Sequence, residues 1–306
     1  MLDTLVTIAV IAYNSEKTIL DTLDSILRQT YNKKCIEIVI SDDASADATL
    51  SIAETWAKEN VLSFYGIKCI SGNINKGVSA NCDSAWRSAS GDWIKTIAAD
   101  DLLLDDCIAN NMDYICNNEL THVLFSNMIP FTEQGRETPI CHDKSKFLGG
   151  PDDQLKILLK ECYLLAPTSF IKRDVLIRVG YADLRYPMLD DYPLWFRCLK
   201  NGYRMDYMDK ATVLYRKGDS LSQQAIKIGN LKYLQSLFSF QKDELWPTLS
   251  FFKILKKWDD SVIFYEKSLW IKYIGNKNTI LYRFFHFALF LIRPYKVQEK
   301  IIDFFR

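Results

Sequence analysis

The first 130 residues alternate between short apolar runs and segments in which apolar residues recur at helical spacing. Residues 5–12 (LVTIAVIA) and 35–40 (CIEIVI) are nearly continuous apolar runs rich in β-branched residues, as expected of strands buried on both faces. Residues 16–29, after Ser15, carry apolar side chains on one predicted helix face: Ile19, Leu23, Ile26 and Leu27. The pattern therefore predicts a strand, a helix and a second strand.

The same alternation continues to about residue 126. Further strands are predicted at 67–70, 92–98 and 122–126. Further helices are predicted from a cap at Asp47 to about Lys58, at 78–88 and at 103–117. Strands and helices in this order indicate an α/β fold, in which helices flank a mostly parallel sheet. Ligands of such sheets bind beyond the carboxyl ends of the strands.

Polar residues follow three of these predicted strands directly. Tyr13 and Asn14 follow the first strand, a pair of aspartates follows the second, and another pair follows the fourth: Asp42, Asp43, Asp100 and Asp101. Asp and Asn also favour turns and helix caps, so one such loop alone has an ordinary structural explanation. Three of them at one sheet edge indicate a binding site.

The chemistry of this site is indicated by what the loops contain. No GxGxxG follows the first strand, and no GxxxxGK[ST] occurs in the chain, so a glycine-rich phosphate cradle is excluded. Carboxylates repel phosphates unless a divalent cation lies between them. Mg²⁺ or Mn²⁺ held by one or two carboxylates and by phosphate oxygens meets this requirement. Asp100 and Asp101 are the predicted metal ligands.

A second acidic pair, Asp190 and Asp191, lies about 90 residues downstream, before a predicted helix at 194–200. The positive end of a helix favours ionised carboxylates. A carboxylate near a metal–diphosphate can act as general base on an incoming hydroxyl. The alternative is that these residues only cap the helix.

Seven segments together resemble family 2 glycosyltransferases with the GT-A fold, in the family's order and over about residues 5–222. They read VTIAVIAYN (6–14), ILRQTY (26–31), ISDDAS (40–45), NKGVS (75–79), GDWIK (91–95), ADD (99–101) and DDY (190–192). The resemblance implies inverting transfer of a sugar from a nucleotide donor to an acceptor hydroxyl, with Mn²⁺ or Mg²⁺ as cofactor.

The resemblance also assigns roles to individual residues. Tyr13 would stack on the nucleotide base and Asp43 would accept a hydrogen bond from it. Asp100 matches the last carboxylate of the DxD motif, which binds the metal–diphosphate, and Asp191 matches the catalytic base. The predicted nucleotide-binding set is completed by neighbours of these residues: Ala12, Asn14, Asp42, Asn75 and Lys76.

Two positions depart from the family pattern. Ala98 stands where the DxD motif has its first Asp, so that a ribose or metal contact is lost or is supplied by Asp101. No His occurs in the segment YRKGDS (215–220), where many members carry one near the diphosphate. Arg216 or Lys217 is predicted to bind the diphosphate instead; the alternative is a solvated basic pair.

Composition divides the chain into two regions. The whole chain has 38 basic and 38 acidic residues, which argues against a dedicated nucleic-acid binder. Residues 226–306 hold 14 Lys or Arg against 7 Asp or Glu, together with 19 of the 40 aromatic residues. Their most apolar stretch, 279–292, is shorter than the ~20 residues that span a bilayer.

This basic aromatic tail suits helices that lie in the interface of an anionic membrane. The alternative is that they pack on the catalytic domain or on a partner subunit. The eight cysteines form no CxxC pair and the N-terminus has no signal-peptide pattern, which predicts reduced, mostly buried thiols in a cytoplasmic protein. His122, His142 and His286 have no metal-ligand spacing and are expected to be structural.

These observations predict a GT-A catalytic domain over 1–222 and a helical tail over 223–306. A nucleotide-sugar half (about 1–127) would precede an acceptor half (about 128–222). The predicted activity is sugar transfer from a nucleotide-sugar, a UDP-sugar by preference, to a lipid-linked saccharide in O-antigen-type surface polysaccharide synthesis at the inner face of the cell membrane. The alternatives are a sugar-nucleotide pyrophosphorylase and a degenerate sugar-binding or scaffold protein.

Overall fold

The computed structural model describes residues 4–217, 227–249, 253–290 and 292–295. The chain divides into two compact units, residues 1–217 and 218–306. The predicted domain boundary after residue 222 falls outside the described residues.

Nine strands and seven helices form the described part of the first unit. The strands are β1 (Val6–Ala12), β2 (Ile36–Asp42), β3 (Gly66–Ser71), β4 (Trp93–Ala98), β5 (Leu102–Leu103), β6 (Val123–Thr132), β7 (Gly135–Arg136), β8 (Phe170–Lys172) and β9 (Met205–Arg216). The helices are α1 (Ile19–Leu27), α2 (Thr49–Asn60), α3 (Val78–Ser88), α4 (Cys107–Asn117), α5 (Pro151–Leu158), α6 (Arg173–Val179) and α7 (Tyr192–Lys200).

All nine strands belong to one sheet with the order β3-β2-β1-β4-β8-β6-β9-β5, and β7 pairs with β6. The pairs β1–β2, β2–β3 and β1–β4 are parallel. The chain runs outward from β1 to β3 and then returns to the other side of β1 at β4. The strand order therefore reverses between β1 and β4, and their carboxyl ends form the crevice where α/β folds bind ligands.

Burial explains why the sequence predicts β1 and β2. Every residue of β2 and six of the seven in β1 are buried, because helices cover both faces of the sheet. The apolar face of α1 packs in this core through Ile19, Leu23 and Ile26. The prediction of a mostly parallel sheet flanked by helices is confirmed.

The predicted helix at 103–117 begins four residues late. Leu102 and Leu103 instead form β5, which pairs antiparallel with Leu214 and Val213 of β9. The apolar pattern did not distinguish this short buried strand from a first helical turn. Strand β6 also extends to Thr132, beyond the predicted 122–126, because β9 pairs with it along most of its length.

The second unit is helical. Its described helices are α8 (Leu231–Phe240), the single turn α9 (Trp246–Thr248), α10 (Lys253–Leu269) and α11 (Ile280–Phe290). Phe238 of α8 stacks on Phe264 of α10 with ring centroids 4.1 Å apart, and Trp270 packs edge-on against Tyr282 of α11 at 5.4 Å. In the described part of the chain, no helix combines the length and the apolar character needed to cross a bilayer.

The cysteines and histidines have ordinary structural environments. All eight cysteines are free thiols: four are buried, Cys69 is partly buried and three are exposed, so the expectation of mostly buried thiols holds for only half of them. His142 is buried among Phe125, Phe147 and Tyr207.

Candidate functional site

The loops after β1 and β2 are joined by hydrogen bonds. The carbonyl of Ala12, the last residue of β1, accepts the N–H of Asp43 and the side-chain amide of Asn81, each at 3.0 Å. The side-chain carbonyl of Asn14 accepts the N–H of Ala46 at 3.0 Å, and Asn14 has a left-handed backbone with φ of 48°. This network holds the loop backbone in place while the Tyr13 side chain stays 49% exposed, free to stack on a planar ligand.

The two aspartates after β2 hold the neighbouring loops. Asp42 is buried, and its carboxylate accepts hydrogen bonds from the N–H and hydroxyl of Ser45 and from the hydroxyl of Ser71. Asp43 accepts the N–H of Lys76 at 2.9 Å and that of Gly77 at 2.8 Å. Asp43 therefore fixes the loop before α3, where the side chains of Asn75 and Lys76 are exposed.

The loop after β4 lies beside the end of β1. The N–H of Ala99 donates to the carbonyl of Ile11 at 3.0 Å. The hydroxyls of Thr18 and Thr22, at the start of α1, donate to the carbonyls of Ala99 and Asp101, each at 2.8 Å. The reversal of strand order thus brings Asp100 and Asp101 next to the loop that carries Tyr13.

The two carboxylates of this pair have different surroundings. Asp100 is partly exposed, and burial raises its pKa above the usual value. Asp101 is 1% exposed and its carboxylate accepts the N–H of Arg216 at 2.8 Å. Burial and the charge of Asp100 raise the pKa of Asp101 to about 8. Asp101 thus fastens β9 to the loop, and Asp100 presents the more accessible carboxylate.

The predicted diphosphate ligands both have partners. The guanidinium of Arg216 donates to the carbonyl of Asp100 at 2.8 Å, forms an ion pair with Asp21 at 2.9 Å and lies over the ring of Phe131. The ammonium of Lys217 pairs with Glu137 at 2.5 Å. Arg216 thus places a positive charge against the Asp100 loop. Lys217, with Glu137 as its partner, fits the alternative of a surface ion pair.

The downstream acidic pair is attached to the same edge of the sheet through α3. The N–H of Ser79 donates to the carbonyl of Pro187 at 3.1 Å, and its hydroxyl donates to that of Tyr186 at 2.6 Å. One turn further along α3, the thiol of Cys82 contacts the carboxylate of Asp190 at 3.6 Å. The segment 186–190 is therefore fastened to the helix that follows the Asn75–Lys76 loop.

Burial raises the proton affinity of both Asp190 and Asp191. Asp191 caps α7, because its carboxylate accepts the N–H of Tyr192 at 2.6 Å. Burial and the neighbouring Asp191 raise the pKa of Asp190 to about 7, and burial also raises that of Asp191. Asp191 therefore does cap the helix, as the alternative reading of the sequence proposed. It does not conflict with a role as base, since a raised pKa makes a carboxylate a better proton acceptor.

The arrangement of the carboxylates limits the kind of divalent-ion site that can form here. Among the described residues, no group of three His, Cys, Asp or Glu side chains is arranged to hold a metal. An ion that is held by one carboxylate and by the phosphates of its ligand needs no such group. Asp100 fits this kind of site because it is partly exposed and lies just beyond the carboxyl end of β4.

Several residues of this region were not predicted from the sequence. Asn81 and Thr18 brace the loops after β1 and β4, while Ser79 and Cys82 hold the 186–190 segment. Asn81, Ser79 and Cys82 lie on the buried face of α3, where polar residues require partners. Polar side chains on a predicted buried helix face were the available signal.

The sequence model of the family described as "Glycosyl transferase family 2" matches residues 7–180, which is more than half of the chain. The chain belongs to glycosyl transferase family 2. The resemblance stated from the sequence motifs is thereby confirmed.

One relative is the UDP-Glc:alpha-D-GlcNAc-diphosphoundecaprenol beta-1,3-glucosyltransferase WfaP of Escherichia coli. It is 30% identical over 214 residues, which cover 69% of this chain and 77% of WfaP. Among solved structures, S. aureus TarS 1-349 in complex with UDP-GlcNAc has a TM-score of 0.59 at 21% identity, covering 88% of this chain and 73% of TarS 1-349.

A second solved structure is the mannosyltransferase PcManGT from Pyrobaculum calidifontis in complex with GDP-Man and Mn2+. Its TM-score is 0.57 at 17% identity, covering 87% of this chain and 71% of that protein. At these sequence identities the structural similarity supports the fold alone. The predicted GT-A fold is confirmed. The roles of the individual site residues remain predictions.

Proposed function

We propose that this glycosyltransferase moves a sugar from a UDP-sugar to a hydroxyl of a lipid-linked saccharide in the assembly of a surface polysaccharide. The observation that carries the proposal is the attachment of the Asp190–Asp191 segment to α3 beside the loops after β1 and β2. An acidic pair with raised pKa at that edge supplies a base for an acceptor hydroxyl. The relative WfaP, a UDP-Glc:alpha-D-GlcNAc-diphosphoundecaprenol beta-1,3-glucosyltransferase, supports the class of donor and acceptor.

The donor nucleotide is proposed to lie against the loops after β1 and β2. The exposed ring of Tyr13 offers a stacking surface for the base. Asp43 uses its carboxylate oxygens to accept two backbone N–H groups. Each oxygen has a further lone pair, with which it can accept a hydrogen bond from the base. Ala12, Asn14 and Asp42 then act by holding these two residues in place.

The transfer itself is proposed to be a single displacement with inversion. The acceptor oxygen forms a bond to the anomeric carbon while the bond from that carbon to the diphosphate oxygen breaks, and the electron pair leaves with the diphosphate. The proton of the acceptor hydroxyl goes to the carboxylate of Asp191. Burial raises the pKa of Asp191. Asp190 is proposed to raise it further, since two neighbouring carboxylates resist ionising together.

Asp100 is proposed to hold a divalent cation, Mn²⁺ or Mg²⁺, together with the diphosphate. The chemistry that the ion supplies when bound is neutralisation of charge on the leaving diphosphate. Arg216 adds positive charge against the same loop, through its hydrogen bond to the Asp100 carbonyl. Asp101 does not need to bind the ion in this proposal because it is buried and engaged by the N–H of Arg216.

The C-terminal unit is proposed to associate with an anionic membrane surface, which would place the enzyme near a lipid-linked acceptor at the inner face of the membrane. The support is its basic and aromatic composition. Large apolar side chains of α11 also remain exposed, among them Ile280, Leu281 and Phe284.

Calorimetry and product analysis test the proposal together. The full-length protein is titrated with UDP-glucose, UDP-N-acetylglucosamine and GDP-mannose, each with Mn²⁺ and with EDTA. Binding of a UDP-sugar that is strengthened by Mn²⁺ is the expected result. The same donors are then incubated with a synthetic lipid-diphosphate saccharide, and the linkage of the product is read by NMR. Product with a retained anomeric configuration, or tight metal-independent donor binding, would contradict the mechanism.

A further inference from the structure

A cavity of about 460 Å³ lies within the C-terminal unit. All of its described lining residues belong to this unit, whereas the acidic site belongs to the first unit. Side chains from the end of α10, from α11 and from the segments beside residues 228 and 293 line it. Its volume falls within the range of sites that hold small ligands or headgroups.

The lining of this cavity is positively charged. Its described lining residues include four cationic side chains, those of Lys227, Lys267, Arg283 and Arg293. No Asp or Glu is among the described lining residues. Two carboxylates contact lining residues: Glu266 pairs with His286 at 3.2 Å, and Asp259 lies 3.9 Å from the Nε of Arg293. The four lining cations outnumber these two carboxylates. A gathering of cations around one half-open cavity favours an anionic occupant.

Among these cations, Lys267 points most clearly to an anionic ligand. Its side chain is partly buried and makes no hydrogen bond or ion pair with any other described residue. Burial lowers the pKa of the Lys267 ammonium; the charge of Glu266 raises this pKa and that of Arg293 lowers it. The guanidinium Nε of Arg293 is buried and likewise has no hydrogen-bond partner among the described residues. Two adjacent cations with unused donors would be stabilised by an anion that accepts from both.

The rim of the cavity is apolar. Phe287 and Phe290 line it, and the ring of Phe287 is 70% exposed. From the rim, exposed apolar side chains continue along α11 toward Ile280, which is 86% exposed. A small hydrophilic anion would leave this surface unused. An amphipathic ligand would place its charge in the cavity and its hydrocarbon along the helix.

We propose that the cavity binds the phosphate monoester or diphosphate headgroup of a lipid, with Lys267 and Arg293 as its donors. The inference rests on the membrane association proposed above and adds a specific headgroup site to it. It is independent of the transfer reaction, because none of its residues belongs to the acidic site.

The test compares two variants that remove one positive charge each. Lys267→Gln removes the cation inside the cavity, whereas Lys272→Gln removes an exposed cation of the same unit that does not line it. Full-length proteins are floated with vesicles of phosphatidylcholine alone, and with vesicles containing phosphatidic acid or, at matched surface charge, phosphatidylglycerol. EDTA is present throughout so that the acidic site does not bind diphosphate through a metal.

The expected result is preferential binding to phosphatidic acid over phosphatidylglycerol, with affinity about tenfold weaker in Lys267→Gln and unchanged in Lys272→Gln. Lys267→Arg should retain the preference, and soluble inorganic diphosphate should compete. Circular dichroism checks that each variant is folded.

Three results would overturn the inference. Equal losses in Lys267→Gln and Lys272→Gln would mean general electrostatic attraction, which leaves membrane association standing without the headgroup site. Binding of inorganic diphosphate that depends on Lys267, without any vesicle binding, would assign the cavity to a soluble anion. Absence of both would remove the site and the membrane association together, while the transfer activity could still be measured with a detergent-solubilised acceptor.

Discussion

Gly77 lies directly against the carbonyl group of Pro187. A Cβ atom at position 77 would stand 2.5 Å from that carbonyl oxygen, and the backbone of Gly77 has a φ of +95°. The same carbonyl accepts the N–H of Ser79, and the N–H of Gly77 donates to Asp43. One glycine therefore joins the loop held by Asp43 to the segment that leads into Asp190.

Gly77→Ala should impair transfer more than it impairs folding. The added methyl group must push the Pro187 backbone away, which displaces the acidic pair from the donor loops, and small displacements of reacting groups cost about 10²-fold in rate. Gly202→Ala is the matched control, because Gly202 also has a positive φ, +83°, but no atom within 4 Å of an added Cβ.

Both variants should lose about 1 to 2 kcal/mol of stability from backbone strain. Only Gly77→Ala should lose additional kcat, measured by steady-state transfer assays. Equal kcat values in the two variants would show that the contact with Pro187 does not position the acidic pair.

Asp191→Asn should remove turnover while leaving donor binding nearly intact. The amide keeps the size of the side chain, and its oxygen can still accept the N–H of Tyr192 that starts α7. The change removes the proton acceptor, so kcat should fall by about 10² to 10⁴. UDP-sugar affinity is measured by calorimetry beside kcat. A parallel loss of donor affinity would assign Asp191 to donor binding rather than to proton transfer.

Asp190→Asn should shift the pH dependence of the reaction. Burial and Asp191 raise the pKa of Asp190 to about 7, and the pKa of Asp191 is raised as well. A base must be ionised, so kcat of the unmodified enzyme should rise with pH as Asp191 ionises, at a pH above the usual pKa of an Asp side chain. Removing the neighbouring negative charge lowers the pKa of Asp191. The acidic limb of the kcat–pH profile should therefore move to lower pH, and an unmoved limb would separate Asp190 from the base.

Asp100→Ala should weaken the metal-linked part of donor binding. The affinity of the variant for a UDP-sugar should respond little to Mn²⁺, whereas its affinity in EDTA should match that of the unmodified protein. Asp21→Ala is a useful comparison, because it removes the ion pair of Arg216 without removing a carboxylate from the loop after β4. A full response to Mn²⁺ in Asp100→Ala would place the metal elsewhere.

The sequence predicted the sheet and the acidic loops because their signals are local. A strand buried on both faces is apolar throughout, and β1 and β2 have this pattern. Strand β8 (Phe170–Lys172) has three residues, and β5 has two. Segments this short carry no periodicity, so only pairing with distant strands defines them.

From the sequence, the candidate site could be predicted only as a set of residue types, without the contacts between them. The sequence marked Asp43 as a ligand for the base, whereas the structure shows its carboxylate holding the backbone of Lys76 and Gly77. The contact of Cys82 with Asp190 spans 108 positions of the chain. Such contacts depend on how α3 packs, which residue spacing does not contain.

His142 should make stability fall in acid. Its ring is buried among Phe125, Phe147 and Tyr207, and burial lowers its pKa from 6.5 to about 4. Between these values the unfolded chain binds a proton that the folded chain does not, so the free energy of unfolding decreases as pH falls from about 6.5 to about 4.

Denaturant unfolding at several pH values should show this slope in the unmodified protein. His142→Phe cannot take up the proton, so its slope over the same interval should be flatter by on the order of 1 to 3 kcal/mol in total. Its stability at pH 8 should be lower, because the hydrogen bond between the ring nitrogen and the Tyr163 carbonyl is lost. If both proteins lose the same free energy between pH 7 and pH 4, other groups govern the acid response.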